Sequence, residues 1–382
     1  MKKTPLTIIF LIVFIDLLGF GIVIPILPSY AERGFGATDF TVGLLVASFS
    51  AAQFLFTPIW GRLSDRFGRR PILLVGLFMS AASYVLFGLA TGLTLLFISR
   101  LLGGVGGANI SAAQAYIADV TRPEERAKGM GLIGAAFGLG FVFGPVMGGL
   151  LVEYGYHVPG FAAAILSTIA LITAIFFLPE SHTDRSITQH VFPHRALGVA
   201  LRRQNTALLL VLFFLVTFGY ANIYATFPMI STRDFGFTDR QVGYLFGFIG
   251  IIGAIVQGGL IRPLTSRYSE RLLFRVGAAC TMVGLALIPF TGGSTALMLL
   301  VLVVLSFGSG IINPTTLSMI SKSAEASDQG GVLGINQSMG ALARSLGPIW
   351  GAFVFQSFGH SWPFLTGGIV LLVVLLLSFR NL

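Results

Sequence analysis

Three ionisable side chains stand inside otherwise apolar stretches: Asp16, Arg100 and Arg344. Asp16 is the only acidic residue deep in such a run. An ionised carboxylate at the centre of a membrane helix costs about 2.5–3.5 kcal/mol on insertion scales. A carboxyl that takes up a proton escapes that cost, so Asp16 suits a proton-coupling site. A packing carboxyl held by hydroxyl or amide neighbours is the alternative. Arg100, Ser111 and Gln114 share one helical face, at spacings of 11 and 3 residues. From there Arg100 could snorkel to the outer surface. Arg344 has Gln337 one heptad before it on the same face. An intramembrane arginine is a functional candidate by default. It could contact an anionic group or hold Asp16 electrostatically.

Gln53, Tyr220, Asn222, Tyr224, Gln257, Asn313 and Asn336 are further polar side chains in apolar runs. They could line a cavity, and helix–helix hydrogen bonding would use them equally well. No enzyme chemistry emerges. The sequence has no Walker-type loop, and no His, Asp and Glu cluster has metal-ligand spacing. Gly103-Gly104-Val105-Gly106-Gly107 lies inside an apolar helix, where packing explains it. Cys280 is the only cysteine, so neither a disulfide framework nor a thiolate metal site is expected. No cofactor is implied.

The elements that position these residues must be membrane helices. Hydrophobic residues make up 55% of the 382, only 10% are charged, and mean hydropathy is +0.87. About 20 apolar residues span a bilayer as a helix, so the chain has room for about a dozen spans. Backbone polar groups cannot face lipid unpaired, which excludes open sheet. The 48 glycines suit close helix packing in lipid. Twelve spans are predicted at 5–28, 41–60, 72–91, 94–117, 130–152, 161–179, 206–230, 241–262, 272–290, 295–320, 329–356 and 361–380. The first apolar run is too long for a signal peptide and holds Asp16, so it reads as a retained helix. The stretch 180–205 is the only long polar one. It divides the chain into bundles at 1–180 and 206–382, joined by a cytoplasmic linker at 181–205.

Gly61-Arg62-Leu63-Ser64-Asp65-Arg66-Phe67-Gly68-Arg69-Arg70 packs four arginines and an aspartate between two apolar runs. It must sit in water. With the N-terminus inside, the outer loops hold only Arg33, Arg233 and Arg240. Arg100 and Arg344 fall within spans, and the rest of the 24 basic residues face the cytoplasm. Both termini are therefore expected inside. The net charge of +9 is scattered over loops rather than gathered on a soluble face, so nucleic acid is not an expected partner.

The halves repeat each other. Phe35-Gly36-Ala37-Thr38-Asp39 returns as Phe235-Gly236-Phe237-Thr238-Asp239, Val42-Gly43 as Val242-Gly243, Gly144-Pro145 as Gly347-Pro348 and His157 as His360. Parallel six-helix repeats of this kind describe one class of membrane transporter.

On these residues the chain resembles the major facilitator superfamily, in the twelve-span drug:proton antiporter branch that includes the tetracycline exporters. The decapeptide resembles that superfamily's loop between helices two and three. Phe14-Ile15-Asp16-Leu17-Leu18-Gly19-Phe20-Gly21 through Pro28 fits the branch's first helix. Leu96 to Gly104, with Arg100, fits the fourth-helix motif. Gly140-Phe141-Val142-Phe143-Gly144-Pro145-Val146-Met147-Gly148-Gly149 fits the antiporter motif of helix five. Leu178-Pro179-Glu180-Ser181 fits the end of helix six.

The resemblance implies an all-α fold of two pseudo-symmetric six-helix bundles that exports lipophilic or amphipathic small molecules against protons by alternating access. It also implies a cytoplasmic gate of Gly61, Asp65, Arg66, Gly68, Arg69 and Asp119. Asp65 would cap the helix starting near Ser327-Asp328-Gln329, and Arg66 or Arg69 would reach Asp119. Gly140, Gly144, Pro145, Gly148 and Gly149 would form a bent, tightly packed fifth helix. Asp16 and Arg100 would couple protons. The proton gradient would be the driving force, the setting a bacterial inner membrane, and the working unit a monomer in the lipid bilayer.

The chain departs from the tetracycline exporters where their membrane charges fall on Ser83, Gly253 and Thr281, while Gln257 matches a glutamine position. A tetracycline–metal complex is therefore not the implied cargo. Export or flipping of a lipid-like or anionic metabolite is the alternative. A non-transporting receptor would need large soluble loops, which the sequence lacks.

Overall fold

The computed structural model describes residues 3–122, 125–181, 204–323 and 329–381. Among these the regular structure is helical throughout. The first half carries α1 (Lys3–Val23), α2 (Asp39–Phe67), α3 (Arg69–Gly88), α4 (Leu93–Val120), α5 (Arg126–Leu151) and α6 (His157–Phe177). The second carries α7 (Asn205–Arg233), α8 (Asp239–Arg267), α9 (Glu270–Leu287), α10 (Thr295–Ser323), α11 (Gln329–Phe358) and α12 (Trp362–Asn381). Eleven of these, among the described residues, are long and apolar enough to cross a membrane. The exception is α11. Its 30 residues are sufficient in length, but it carries Asn336, Gln337, Ser338, Arg344 and Ser345. Nearly all of the linker at 181–205 lies outside the described residues.

The first helix is shorter than its sequence suggests. It stops at Val23 rather than running to 28. Pro25 and Pro28 lack the backbone donors that continuation needs, and the chain instead turns through Leu27–Ser29 and Tyr30–Gly34.

The repeat seen in sequence has a local cause. Gly36 (φ 66°) and Gly236 (φ 69°) take the left-handed conformation that feeds each following helix. Thr38 Oγ1 accepts from the Thr41 amide, and Thr238 Oγ1 from the Gln241 amide, both at 3.3 Å. Each threonine thus satisfies an otherwise unpaired N–H at a helix start.

Packing divides the chain into two compact units. One takes in the described residues of Met1–Gln189 together with Thr238–Gly247; the other takes in those of His190–Phe237 and Phe248–Leu382. Within the first, α1 packs on α5 and α6, and α3 on α4 and α6. Within the second, α7 packs on α11 and α12, and α9 on α10 and α12. The same neighbours recur six helices later. The core of the first unit is built from Ile9, Ile12, Leu73, Leu77, Tyr116 and Ile117, all buried.

Candidate functional site

The interior of the first unit gathers its polar groups on α1, α3 and α4. Asp16 is only 7% exposed. Ser80 Oγ on α3 donates to Asp16 Oδ1 at 2.8 Å. One turn further, Tyr84 is buried with its hydroxyl against α1: a Cβ at Gly19 would stand 2.7 Å from that oxygen. Tyr84 interacts electrostatically with both Asp16 and Arg100. The Arg100 guanidinium lies over Phe49 at 5.2 Å and Phe87 at 6.0 Å, and its Nε is buried without a partner. A carboxyl, two hydroxyls and a guanidinium therefore run from α1 to α4. In this setting Asp16 can gain or lose a proton, with Tyr84 placed to feel the change of charge. Asp16 and Arg100, the expected proton-coupling residues, share Tyr84 as an electrostatic partner. Ser80 and Tyr84 were missed, although their i, i+4 spacing among apolar residues places them on one face of α3.

The decapeptide builds a clamp inside the same unit. Gly68 (φ 104°) sits where α2 turns into α3, and a Cβ there would collide with the Glu180 carboxylate. Glu180 accepts from the Arg69 amide at 2.9 Å and from the Arg70 amide at 3.2 Å, so a carboxylate meets the positive end of α3. Arg69, rather than Arg66, reaches Asp119: its Nε stands 3.2 Å from Oδ2. Arg69 Nη1 donates to Ser64 Oγ at 2.8 Å and pairs with Asp65. Arg66 lies over the Phe67 ring. Gly61 has open space around it. The expected cap from Asp65 to residues 327–329 involves positions whose backbone or side chains lie outside the described residues. Glu180 is the member of this clamp that sequence reasoning left out; its place in the Leu178–Ser181 motif was the available signal.

The glycines of α5 press against α1. Added Cβ atoms would lie 2.9 Å from Leu17 Cβ at Gly140 and 2.7 Å from the Gly21 Cα at Gly144, and would collide with the Ile22 carbonyl at Gly148. Gly149 faces Thr238–Gly247 instead, where its Cβ would be 2.9 Å from the Arg240 carbonyl. The helix runs through Pro145 without interruption.

An outer cluster had no sequence-based role. Asp239 accepts from Ser29 Oγ at 2.5 Å and from the Tyr156 hydroxyl at 2.8 Å, with Arg33 Nη1 at 3.5 Å. Burial and the Asp239 carboxylate push the Tyr156 phenol up to about 12, so it remains a donor at physiological pH. Arg240 pairs with Glu153 at 3.0 Å.

The second unit holds Arg344 part-buried in mid-α11, in electrostatic contact with Tyr224. Tyr220 and Tyr224 meet edge to face at 6.2 Å. Gln257, Asn313 and Gln337 are exposed along their helices, and Asn336 is buried with Oδ1 unpartnered. Gln114 is part-buried in the first unit. Two expected cavity residues serve backbone instead. Asn222 is buried where α7 is interrupted, and its Nδ2 donates to the Gly219 and Pro363 carbonyls at 2.7 and 3.2 Å. That corrects its assignment to the cavity: an interrupted helix leaves carbonyls without partners, and the amide supplies one. Gln53 Nε2 likewise donates to the Gly107 carbonyl, at 3.0 Å, beside the break in α4. Ser83 and Thr281 are buried with hydroxyls bonded to their own helices, so neither substitutes for a membrane charge.

Many apolar helices, an internal repeat and a few buried charges define a multi-pass membrane transporter rather than an enzyme. The chain belongs to the Major Facilitator Superfamily, whose family model matches residues 9–348 and again 259–381. It is 30% identical over 383 residues to Multidrug resistance protein 2 of Bacillus subtilis (strain 168), covering 97% of this chain and 94% of that protein. It is 31% identical over 356 residues to the class C Tetracycline resistance protein of Escherichia coli, covering 92% and 89%. The human organic anion transporter MFSD10 (TETRAN) superposes with a TM-score of 0.74 at 27% identity, over 98% of this chain and 99% of that one.

Proposed function

We propose that this protein is a proton-coupled antiporter that exports small lipophilic or amphipathic compounds by alternating access. It would act as a monomer in a bacterial cytoplasmic membrane, with both termini inside. The observation that carries this reading is the buried run of Asp16, Ser80, Tyr84 and Arg100. Asp16 takes a proton from the outside and releases it inside as the compound leaves. Its lone membrane carboxyl fits one proton site per transporter, and the multidrug and tetracycline resistance relatives supply the export direction. Ser83 and Thr281, buried and bonded to their own helices, support a cargo other than a tetracycline–metal complex. No cofactor takes part; the proton gradient drives the cycle.

The test is reconstitution into liposomes with an imposed pH gradient and a screen of cationic, neutral and anionic lipophiles. Movement should follow the gradient in the wild type and lose that dependence in Asp16→Asn. Transport indifferent to the gradient would sink the antiporter reading.

A further inference from the structure

We infer that the exported compound is an amphipathic acid whose anionic group is received by Arg344 beside Tyr224. This deepens the export reading by naming its substrate class. The reason lies in the charge balance of the second unit. A lone guanidinium at mid-membrane is costly, which makes the source of its counter-charge informative. Among the described residues of that unit the carboxylates are Asp234 and Glu270. Asp234 is held by His360 Nδ1 at 2.7 Å. Glu270 is held by Lys322 at 2.7 Å and Ser318 at 2.6 Å. Glu325 and Asp328 lie outside the described residues. The helix that follows them starts at Gln329, fifteen residues before Arg344, roughly 22 Å.

Arg344 itself makes no hydrogen bond or ion pair among the described residues, and its side chain is part-buried rather than sealed. Nη1 lies near Gly340 and the Phe213 ring, and Tyr224 stands beside it. Arg100 differs: aromatic rings cover its guanidinium, and its Nε is sealed. A planar guanidinium binds carboxylate, sulfonate or phosphate oxygens in pairs, with charge-assisted bonds that strengthen away from water. The paired Tyr220 and Tyr224 rings offer an apolar wall for the body of such a compound.

The test uses the full purified chain and three probes with one aromatic body: 1-pyrenebutyrate, 1-pyrenebutanol and 1-pyrenemethylammonium. Binding is read by pyrene fluorescence. The wild type should bind the acid at least about tenfold more tightly than the alcohol or the ammonium, as expected for one charge-assisted contact. Arg344→Gln should erase that preference and leave the alcohol unchanged, and Arg344→Lys should restore part of it. Equal binding of acid and alcohol by the wild type would overturn the inference without any variant. So would a preference that survives Arg344→Gln, or an equal loss of all three probes, which would make Arg344 structural. Displacement of the acid by a lower concentration of dihexanoyl-phosphatidylglycerol would assign the site to a lipid headgroup and overturn the free acid. An Arg344-dependent acid preference stands whether or not the pH-gradient assay finds coupling, so the two readings fail separately.

Discussion

The interiors of the two units share an ancestry in sequence and differ in charge. The first holds a carboxyl and a guanidinium, joined through Ser80 and Tyr84. The second holds Arg344 with tyrosines and amides, and no membrane carboxylate among its described residues. One interior contains its own counter-charge; the other leaves a cation accessible. Burying both partners of an opposed pair limits the cost of each, whereas a cation alone remains ready for an outside anion. The difference suggests a division of labour. On the proposed reading the first unit handles the proton and the second handles the cargo.

The largest effect that would break this comparison is expected at Asp16. Asp16→Asn should remove gradient-driven export almost entirely, while exchange of labelled for unlabelled substrate without a gradient persists. Loss of both activities, measured side by side in the same liposomes, would place Asp16 in substrate binding. The next effect comes from supplying the second unit with the carboxylate it lacks. Gln337→Glu puts an acid one heptad below Arg344 and should weaken binding of pyrenebutyrate several-fold through Coulomb attraction to the arginine, with pyrenebutanol binding unchanged in the same titration. Tyr84→Phe should be milder. It removes a hydroxyl that interacts electrostatically with Asp16 and Arg100, so the proton-to-substrate ratio should fall in a flux assay while substrate affinity holds.

The smallest effect is expected at the outer cluster, away from both interiors. The Tyr156 phenol is raised on folding, to about 12. Its contribution is therefore complete below the ordinary phenol value near 10 and is lost as pH rises through about 12. Thermal unfolding should show an extra alkaline loss of stability in the wild type that Tyr156→Phe lacks. Identical alkaline profiles would remove Tyr156 from the Asp239 cluster.

Much of the architecture was legible because membrane helices write themselves as apolar runs of fixed length. The site was legible only where a residue type was costly. Asp16, Arg100 and Arg344 stand out because charges in lipid demand a reason. Ser80 and Tyr84 do not, since hydroxyls are cheap in membrane helices and bond their own backbone. Asn222 and Gln53 show the converse. An amide in a span looks like a ligand contact, yet helix interruptions at residue 222 and near Gly107 leave carbonyls that need those donors. Proline rather than hydropathy decided where α1 ends, so its length was overestimated.

The sequence by itself determined the membrane class, the twofold repeat and the three charges within spans, which follow from composition, period or spacing along the chain. Its motifs carried the resemblance to the family. Only the tertiary structure decided that Arg69 rather than Arg66 meets Asp119, that Glu180 caps α3, and that Asp239 joins Ser29 and Tyr156. These contacts join residues from 50 to 210 positions apart. A side chain's partner at that separation is set by which helix faces meet. Spacing within one helix fixes only which way each residue points.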